Sequence, residues 1–230
     1  MEKKRKQIQS RYDARFERDV WSVFKVMGEF VDGYEKMSNV GPCVSIFGSA
    51  RLKPDNRYYE MAVEVSKQLA EIGFGIITGG GPGIMEAGNK GADLAGGTSV
   101  GLCISLPFED TNNPYIGSDY KINFNYFFAR KVMFVKYAQG FIVLPGGMGT
   151  LDEFYEAMTL IQTKKIHQFP IIMMGKEYWG GLIDWMKKTM VEEKTIDKSD
   201  LDLFHVTDDP EEAVNIIYNF YETNKLRPNF

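Results

Sequence analysis

The run Leu144-Pro145-Gly146-Gly147-Met148-Gly149-Thr150-Leu151-Asp152-Glu153 carries the reading of this chain. Residues 141–144 are continuously apolar and read as a buried strand, Pro145 ends it, and a helix begins just beyond the glycines. Glycines at such a turn let backbone N–H groups approach a ligand with no Cβ in the way. The positive end of the helix behind them favours an anion. A phosphate fits this corner, with Thr150 adding a hydroxyl. Asp152 and Glu153 are expected in the first turn of that helix, with Glu153 directing acid chemistry at whatever the phosphate carries. Taken alone, the same run is also an ordinary strand-to-helix turn with acidic residues at the helix start. The rest of the chain decides between the two.

Strands and helices alternate on both sides of it. Strands are expected over 43–47, 74–78, 98–106, 122–124, 141–144, 169–174 and 203–206. Helices are expected over 57–72, 84–94, 126–138, 151–163, 178–192 and 210–222, the last capped by Asp208 or Asp209. Residues 108–119, rich in Asn, Pro and Gly, read as a loop. Alternation of this kind implies βαβ units, right-handed crossovers and a parallel sheet covered on both faces. The unbroken apolar run at 169–174 agrees with such burial. There are too few βα units for a closed barrel of eight, so an open, doubly wound α/β sheet is expected. Ahead of it, Trp21, Phe24, Met27, Phe30, Val31, Tyr34 and Met37 form one apolar helix stripe that ends at Gly41-Pro42. Residues 1–40 therefore read as an N-terminal helical extension and 41–230 as a single catalytic domain. The stripe packs either on that domain or on another subunit, since periodicity does not distinguish them.

Composition narrows the function. A chain of 230 residues buries a large core without staples. A net charge of −4 argues against generic nucleic-acid binding, which needs a basic face, yet local geometry can still oppose the global charge at an anion site. Cys43 and Cys103 lie in apolar strand runs and read as packing residues. His167 and His205 stand apart from any cluster, so no metal is expected. No secretory or bilayer-length segment is evident, and a soluble cytoplasmic protein with no membrane contact is expected.

Ligands of open parallel sheets bind beyond the carboxyl ends of the strands. Three segments should converge there: Gly48-Ser49-Ala50-Arg51, the turn from Thr78 through Gly80 and Gly81 to Glu86, and 145–153. Ser49, Gly80 and Gly81 are thus ligand-binding candidates. Two glycine turns on one sheet suggest a nucleotide-like ligand. Neither is a Walker A loop and the first lacks dinucleotide spacing, so phosphoryl and hydride transfer fall in rank. Arg130 and Lys131 lie on the helix before the 141–144 strand. Arg130 is able to fork onto a phosphate or sugar oxygen, although an Arg-Lys pair on a helix is commonly a solvated face.

Ala129-Arg130-Lys131 followed by the PGGxGTxxE pattern of residues 145–153 closely resembles the LONELY GUY (LOG) family, cytokinin riboside 5′-monophosphate phosphoribohydrolases often labelled lysine decarboxylases. The likeness is strong over 43–174 and looser beyond. It implies a Rossmann-like fold that binds a nucleoside 5′-monophosphate and hydrolyses its N-glycosidic bond to free base and ribose 5-phosphate. No cofactor is implied, and assembly into homodimers or larger oligomers is. Carried over by position, Arg130 matches the family's catalytic arginine and Glu153 its catalytic glutamate. Gly146, Gly147, Gly149 and Thr150 match the phosphate cradle, and Lys131, Asp152 and Glu86 match positions near the ligand. The chain departs from plant members at Asp152, where they usually carry Glu, and at Met148, often an aromatic there. Shorter members lack residues 1–39.

The chemistry is consistent with these residues. Breaking an N-glycosidic bond builds positive charge on the ribose. A carboxylate from Glu153 would stabilise that cation, with Arg130 holding the phosphate–ribose end. Aromatics in 108–126 either stack on the base or belong to the core. Two rivals stay open: a nucleotide or molybdenum-cofactor carrier without hydrolysis, and a nucleosidase acting broadly on AMP and other monophosphates. A pyridoxal-dependent decarboxylase is the least favoured enzyme, because no lysine stands out as a Schiff-base former.

Overall fold

All seven expected strands form, and they join one parallel sheet. In this computed structural model, which describes residues 2–9, 16–104 and 113–230, the strands are β1 (Cys43–Phe47), β2 (Gly75–Thr78), β3 (Ser99–Ile104), β4 (Lys121–Phe124), β5 (Ala138–Val143), β6 (Ile171–Met174) and β7 (His205–Thr207). The helices are α1 (Glu2–Gln9), α2 (Phe16–Met37), α3 (Arg57–Glu71), α4 (Ile84–Leu94), α5 (Phe127–Tyr137), α6 (Met148–Gln162), α7 (Lys176–Trp185) and α8 (Pro210–Thr223). Among the described residues no helix is long and apolar enough to cross a membrane.

The strand order β4-β3-β2-β1-β5-β6-β7 makes the fold doubly wound. The chain winds outward from β1 to β4, then returns to the other side of β1 with β5. The loops after β1 and β5 therefore diverge and open a crevice at the switch point. Alternate side chains along each strand point to opposite faces. Phe47, Val100, Leu102, Phe141 and Val143 meet α5, α6 and α7 on one face. Val44, Ile46, Ile76, Ile142 and Ile172 meet α3, α4 and α8 on the other. Cys43 and Cys103 are buried free thiols, as packing residues would be.

Several boundaries differ from expectation, among them β6 and β7, which each begin two residues late. Helix α6 starts at Met148, not at 151, because Gly147 serves as its extended cap (φ −95°, ψ −152°) and Gly149 lies inside its first turn. Glycine's poor helix propensity argued against a start there. Asp152 and Glu153 consequently sit one turn deeper than expected, and the first turn carries no acid. Strand β5 begins at Ala138, paired with Cys43. Helix α7 begins at Lys176 and continues past Trp185 as a π-helical turn, Met186–Met190. Asp208 and Asp209 are both used. Asp209 caps α8 by accepting the Glu211 N–H at 3.0 Å, and Asp208 accepts the N–H groups of Gly175 and Lys176 at 2.6 and 2.8 Å.

The α2 stripe divides. Met37 is buried and Phe30 packs against the core, while Trp21 and Phe24 are 70% and 62% exposed. The Glu29 carboxylate accepts the N–H groups of Asn125 and Tyr126 at 2.8 and 3.2 Å, which ties α2 to the entry of α5.

Candidate functional site

A cleft of about 590 Å³ opens beyond the carboxyl ends of β1, β2, β3 and β5. The three expected segments meet in it, and α5 forms a further wall. Pairing continues past the strand ends. The Leu144 N–H donates to Phe47 O at 2.8 Å, and the Ser49 N–H donates to Pro145 O at 2.9 Å. The first and third turns therefore leave the sheet together.

The second turn folds beneath the first. Ile84 N–H donates to Ser49 O at 3.0 Å. Gly83 has φ +68°, and a Cβ there would strike the Ser49 carbonyl. Gly83→Ala is therefore expected to cost at least about 2 kcal/mol, through left-handed strain and the clash together; urea unfolding of wild type and variant measures it. Gly80 is held by a buried polar network. Its N–H donates to Thr78 Oγ1 at 3.0 Å, and Thr78 donates in turn to Asn89 Oδ1 at 2.5 Å. Asn113 donates to the same oxygen at 3.0 Å, while Asn89 Nδ2 donates to Ser99 Oγ at 2.8 Å. The sequence reading missed Asn89 and Asn113. The available signal was an amide on the inward face of α4 among Ala87, Gly88, Gly91 and Ala92.

In the third turn a Cβ on Gly146 would collide with the Thr150 side chain. Thr150 is buried, and no side chain caps α6. The first N–H groups of a helix have no carbonyl four residues back to bond; here the Thr150 N–H turns back to Gly147 O at 3.1 Å, so Gly147, Met148 and Gly149 supply the N–H groups open to a ligand. Gly147, Met148, Gly149 and Thr150 all line the cleft, so the positive end of the helix is turned toward a ligand. Met148, at 85% exposure, forms its rim.

Glu153 lies at the back, 5% exposed, and its Oε2 has no hydrogen-bond partner among the described residues. Burial pushes its carboxyl from the ordinary 4.5 up to about 7; Lys131 and Arg130 oppose that rise, and Glu156 and Asp152 add to it. Arg130 stacks on Phe127 and Phe134, its guanidinium carbon 5.0 and 5.7 Å from the ring centres. Those aromatics stand three residues before and four after Arg130, on its own helix face. The sequence reading looked for aromatics over 108–126 instead. Phe108 lies outside the described residues, and Tyr126 stacks on Phe128 at 5.4 Å.

Ser49, Gly81, Arg130, Gly147, Gly149, Thr150 and Glu153 line the cleft together. Gly80 and Gly146 shape its turns from behind. Glu86 accepts the Tyr59 hydroxyl at 2.6 Å and so joins α3 to α4. Lys131 pairs with Asp152 at 2.9 Å and Glu156 at 3.0 Å, which places its ammonium beside Glu153 and outside the cleft lining. Desolvation lowers the Lys131 pKa, but its hydrogen bonds to Asp152 and Glu156 outweigh that and leave it raised. A Schiff-base lysine needs the opposite shift, and no lysine lines the cleft among the described residues. The site does not fit pyridoxal phosphate.

An open, doubly wound parallel sheet with a helix terminus and a buried carboxyl at its switch point defines a Rossmann-like fold. The family model described as "Possible lysine decarboxylase" matches residues 85–217, and the chain belongs to that family, the LOG family of the motif resemblance. Cytokinin riboside 5′-monophosphate phosphoribohydrolase LOG of Oryza sativa subsp. japonica is 33% identical over 121 residues, 51% of this chain and 48% of that protein. The Mycobacterium tuberculosis protein of the same designation is 34% identical over 134 residues, 55% of this chain and 68% of its own length. The chain spans about half the length of two rice relatives it matches, 48% and 55%. In three dimensions it resembles the molybdenum cofactor binding protein of Rippkaea orientalis (TM-score 0.56, 21% identity, 78% of this chain and 97% of that one). It also resembles the Moco carrier protein of Chlamydomonas reinhardtii (TM-score 0.54, 20% identity, 80% and 99%). At such identities the likeness is one of fold.

Proposed function

We propose that the chain hydrolyses the N-glycosidic bond of a nucleoside 5′-monophosphate, a cytokinin riboside monophosphate or AMP, to free base and ribose 5-phosphate. The observation that carries this reading is the buried Glu153 carboxyl facing the same cleft as the uncapped α6 terminus. In this reading the phosphate docks on the N–H groups of Gly147, Met148 and Gly149 and on the Thr150 hydroxyl, Arg130 forks onto phosphate or ribose oxygens, and C1′ faces Glu153. As the C1′–N bond breaks, the carboxylate offsets charge on the oxocarbenium-like ribose. Water forms the new C1′–O bond and gives a proton to Glu153; the C1′–N bond breaks as the base takes up one proton from solvent, and Glu153 then returns its proton to solvent, so that one water is consumed overall. A carboxyl with a pKa near 7 is suited to hold and release that proton at neutral pH.

The rival is a carrier of the kind its structural neighbours are named for. A phosphate cradle by itself has no use for a buried carboxyl, which costs stability, so Glu153 favours the hydrolase. The test is to incubate purified protein with AMP, isopentenyladenosine monophosphate, GMP and CMP and chromatograph the products. Release of free base supports hydrolysis, and the relative rates rank the bases. A nucleotide bound and recovered intact supports the carrier. We further propose homo-oligomers, built in part on the exposed Trp21 and Phe24 face of α2; a monomer mass in light scattering of the full chain would remove that proposal.

A further inference from the structure

Three successive carbonyls in the phosphate corner are each tied to a donor. Pro145 O accepts the Ser49 N–H at 2.9 Å, and Gly147 O accepts the N–H groups of Thr150 and Leu151 at 3.1 Å. Between them, Gly146 O accepts the Tyr178 hydroxyl at 2.8 Å. The outer two ties are backbone to backbone and survive any substitution that keeps the fold. The middle one depends on a single side chain.

That middle tie controls a direction. In a planar trans peptide the C=O and the following N–H point opposite ways. Holding the Gly146 carbonyl toward α7 turns the Gly147 N–H away from α7, and Gly147 lines the cleft. A peptide between two glycines has no Cβ to resist rotation. Rotated, it would present a carbonyl oxygen to an incoming anion. Tyr178 is well placed to prevent this. Gly175, at φ +107°, brings the start of α7 against Pro145, where any Cβ would press on the proline ring. The Tyr178 ring packs edge-on against Trp179, with centroids 4.7 Å apart, and the Trp179 Nε1–H is anchored to Met174 O at 3.1 Å.

We propose that Tyr178 is a positioning residue for the phosphate corner, its hydroxyl holding the Gly146–Gly147 peptide with the N–H aimed at the phosphate of the bound nucleotide. The proposal rests on the nucleotide reading of the site. Tyr178→Phe removes only the hydroxyl, from a ring that is half exposed. The expected result is a rise of about 3- to 10-fold in KM for AMP and in Kd for ribose 5-phosphate, the size of one partly solvated hydrogen bond. The kcat should stay within about twofold, because the lost bond acts on phosphate capture and not on the C1′ chemistry, and Tm should fall by no more than about 2–4 °C, the reach of one hydrogen bond. A variant with unaltered KM and Kd overturns the role of Tyr178 while leaving the nucleotide reading intact. So does a variant that loses kcat and stability together with affinity, which marks a merely structural hydroxyl. Wild-type protein that neither turns over AMP nor binds ribose 5-phosphate in calorimetry overturns the nucleotide reading, and this proposal with it.

Discussion

Glu153→Gln is expected to lose at least ~10²-fold in turnover of the preferred nucleoside monophosphate, with the fold and nucleotide affinity retained. The amide is nearly isosteric and fills the same buried volume, but it neither carries negative charge opposite the ribose cation nor takes a proton from water. Near-normal turnover in steady-state kinetics would remove Glu153 from the mechanism. The same variant has a stability signature of definite sign. Burial raises the Glu153 carboxyl from 4.5 to about 7, so between those values the folded state holds a proton that the unfolded state has released. Stability of the wild type therefore falls as pH rises through that window. The glutamine variant is spared this loss. It should be the more stable protein above about pH 7, by about 3 kcal/mol at roughly 1.4 kcal/mol per pH unit. The advantage should shrink toward pH 4.5, where the unfolded carboxyl is half protonated, and vanish below it. Denaturant midpoints at pH 4.5, 6 and 8 measure it. Loss of activity together with gain of stability is the mark of a buried group retained for chemistry.

Arg130→Ala is the second large effect, again at least ~10²-fold in kcat/KM. Two losses combine. The planar fork that would fix the phosphate–ribose end against C1′ is gone, and the platform of Phe127 and Phe134 beneath it is left uncovered. Arg130→Lys should recover little, since an ammonium neither forks bidentately nor stacks as a guanidinium does. Arg130 is also one of the cations that hold the Glu153 pKa down. Its removal should move the acid limb of the pH–rate profile upward, a shift that a purely affinity-based role would not produce. Activity within a few-fold of wild type at saturating substrate, with the limb unmoved, would exclude the assignment.

Much of the architecture was legible because period and punctuation are local. Apolar runs bounded by glycine or proline mark β1, β5 and β6, and Asp-Asp-Pro marks the start of α8. The helix start at Met148 was not legible. Propensity penalises glycine in a helix, whereas here the turn needs Gly146 to clear Thr150 and Gly147 to stay extended. The pairing of Lys131 with Asp152 and Glu156 was hidden for another reason: it joins α5 to α6 across a sheet crossover. The Asn113 tie to Asn89 spans 24 positions and follows no motif.

The amino-acid order by itself determined the α/β class, the parallel sheet, the three loops that meet and the family, since each follows from spacing along a few consecutive residues. The tertiary structure alone decided which charged groups face the cleft. Arg51, Arg130 and Glu153 line it, while Lys131, Asp152 and Glu86 are taken up by partners on neighbouring elements. It also decided that the carboxyl of Glu153 titrates near neutrality. Burial and the distance between charges set a pKa, and both arise only when segments remote in the chain pack together.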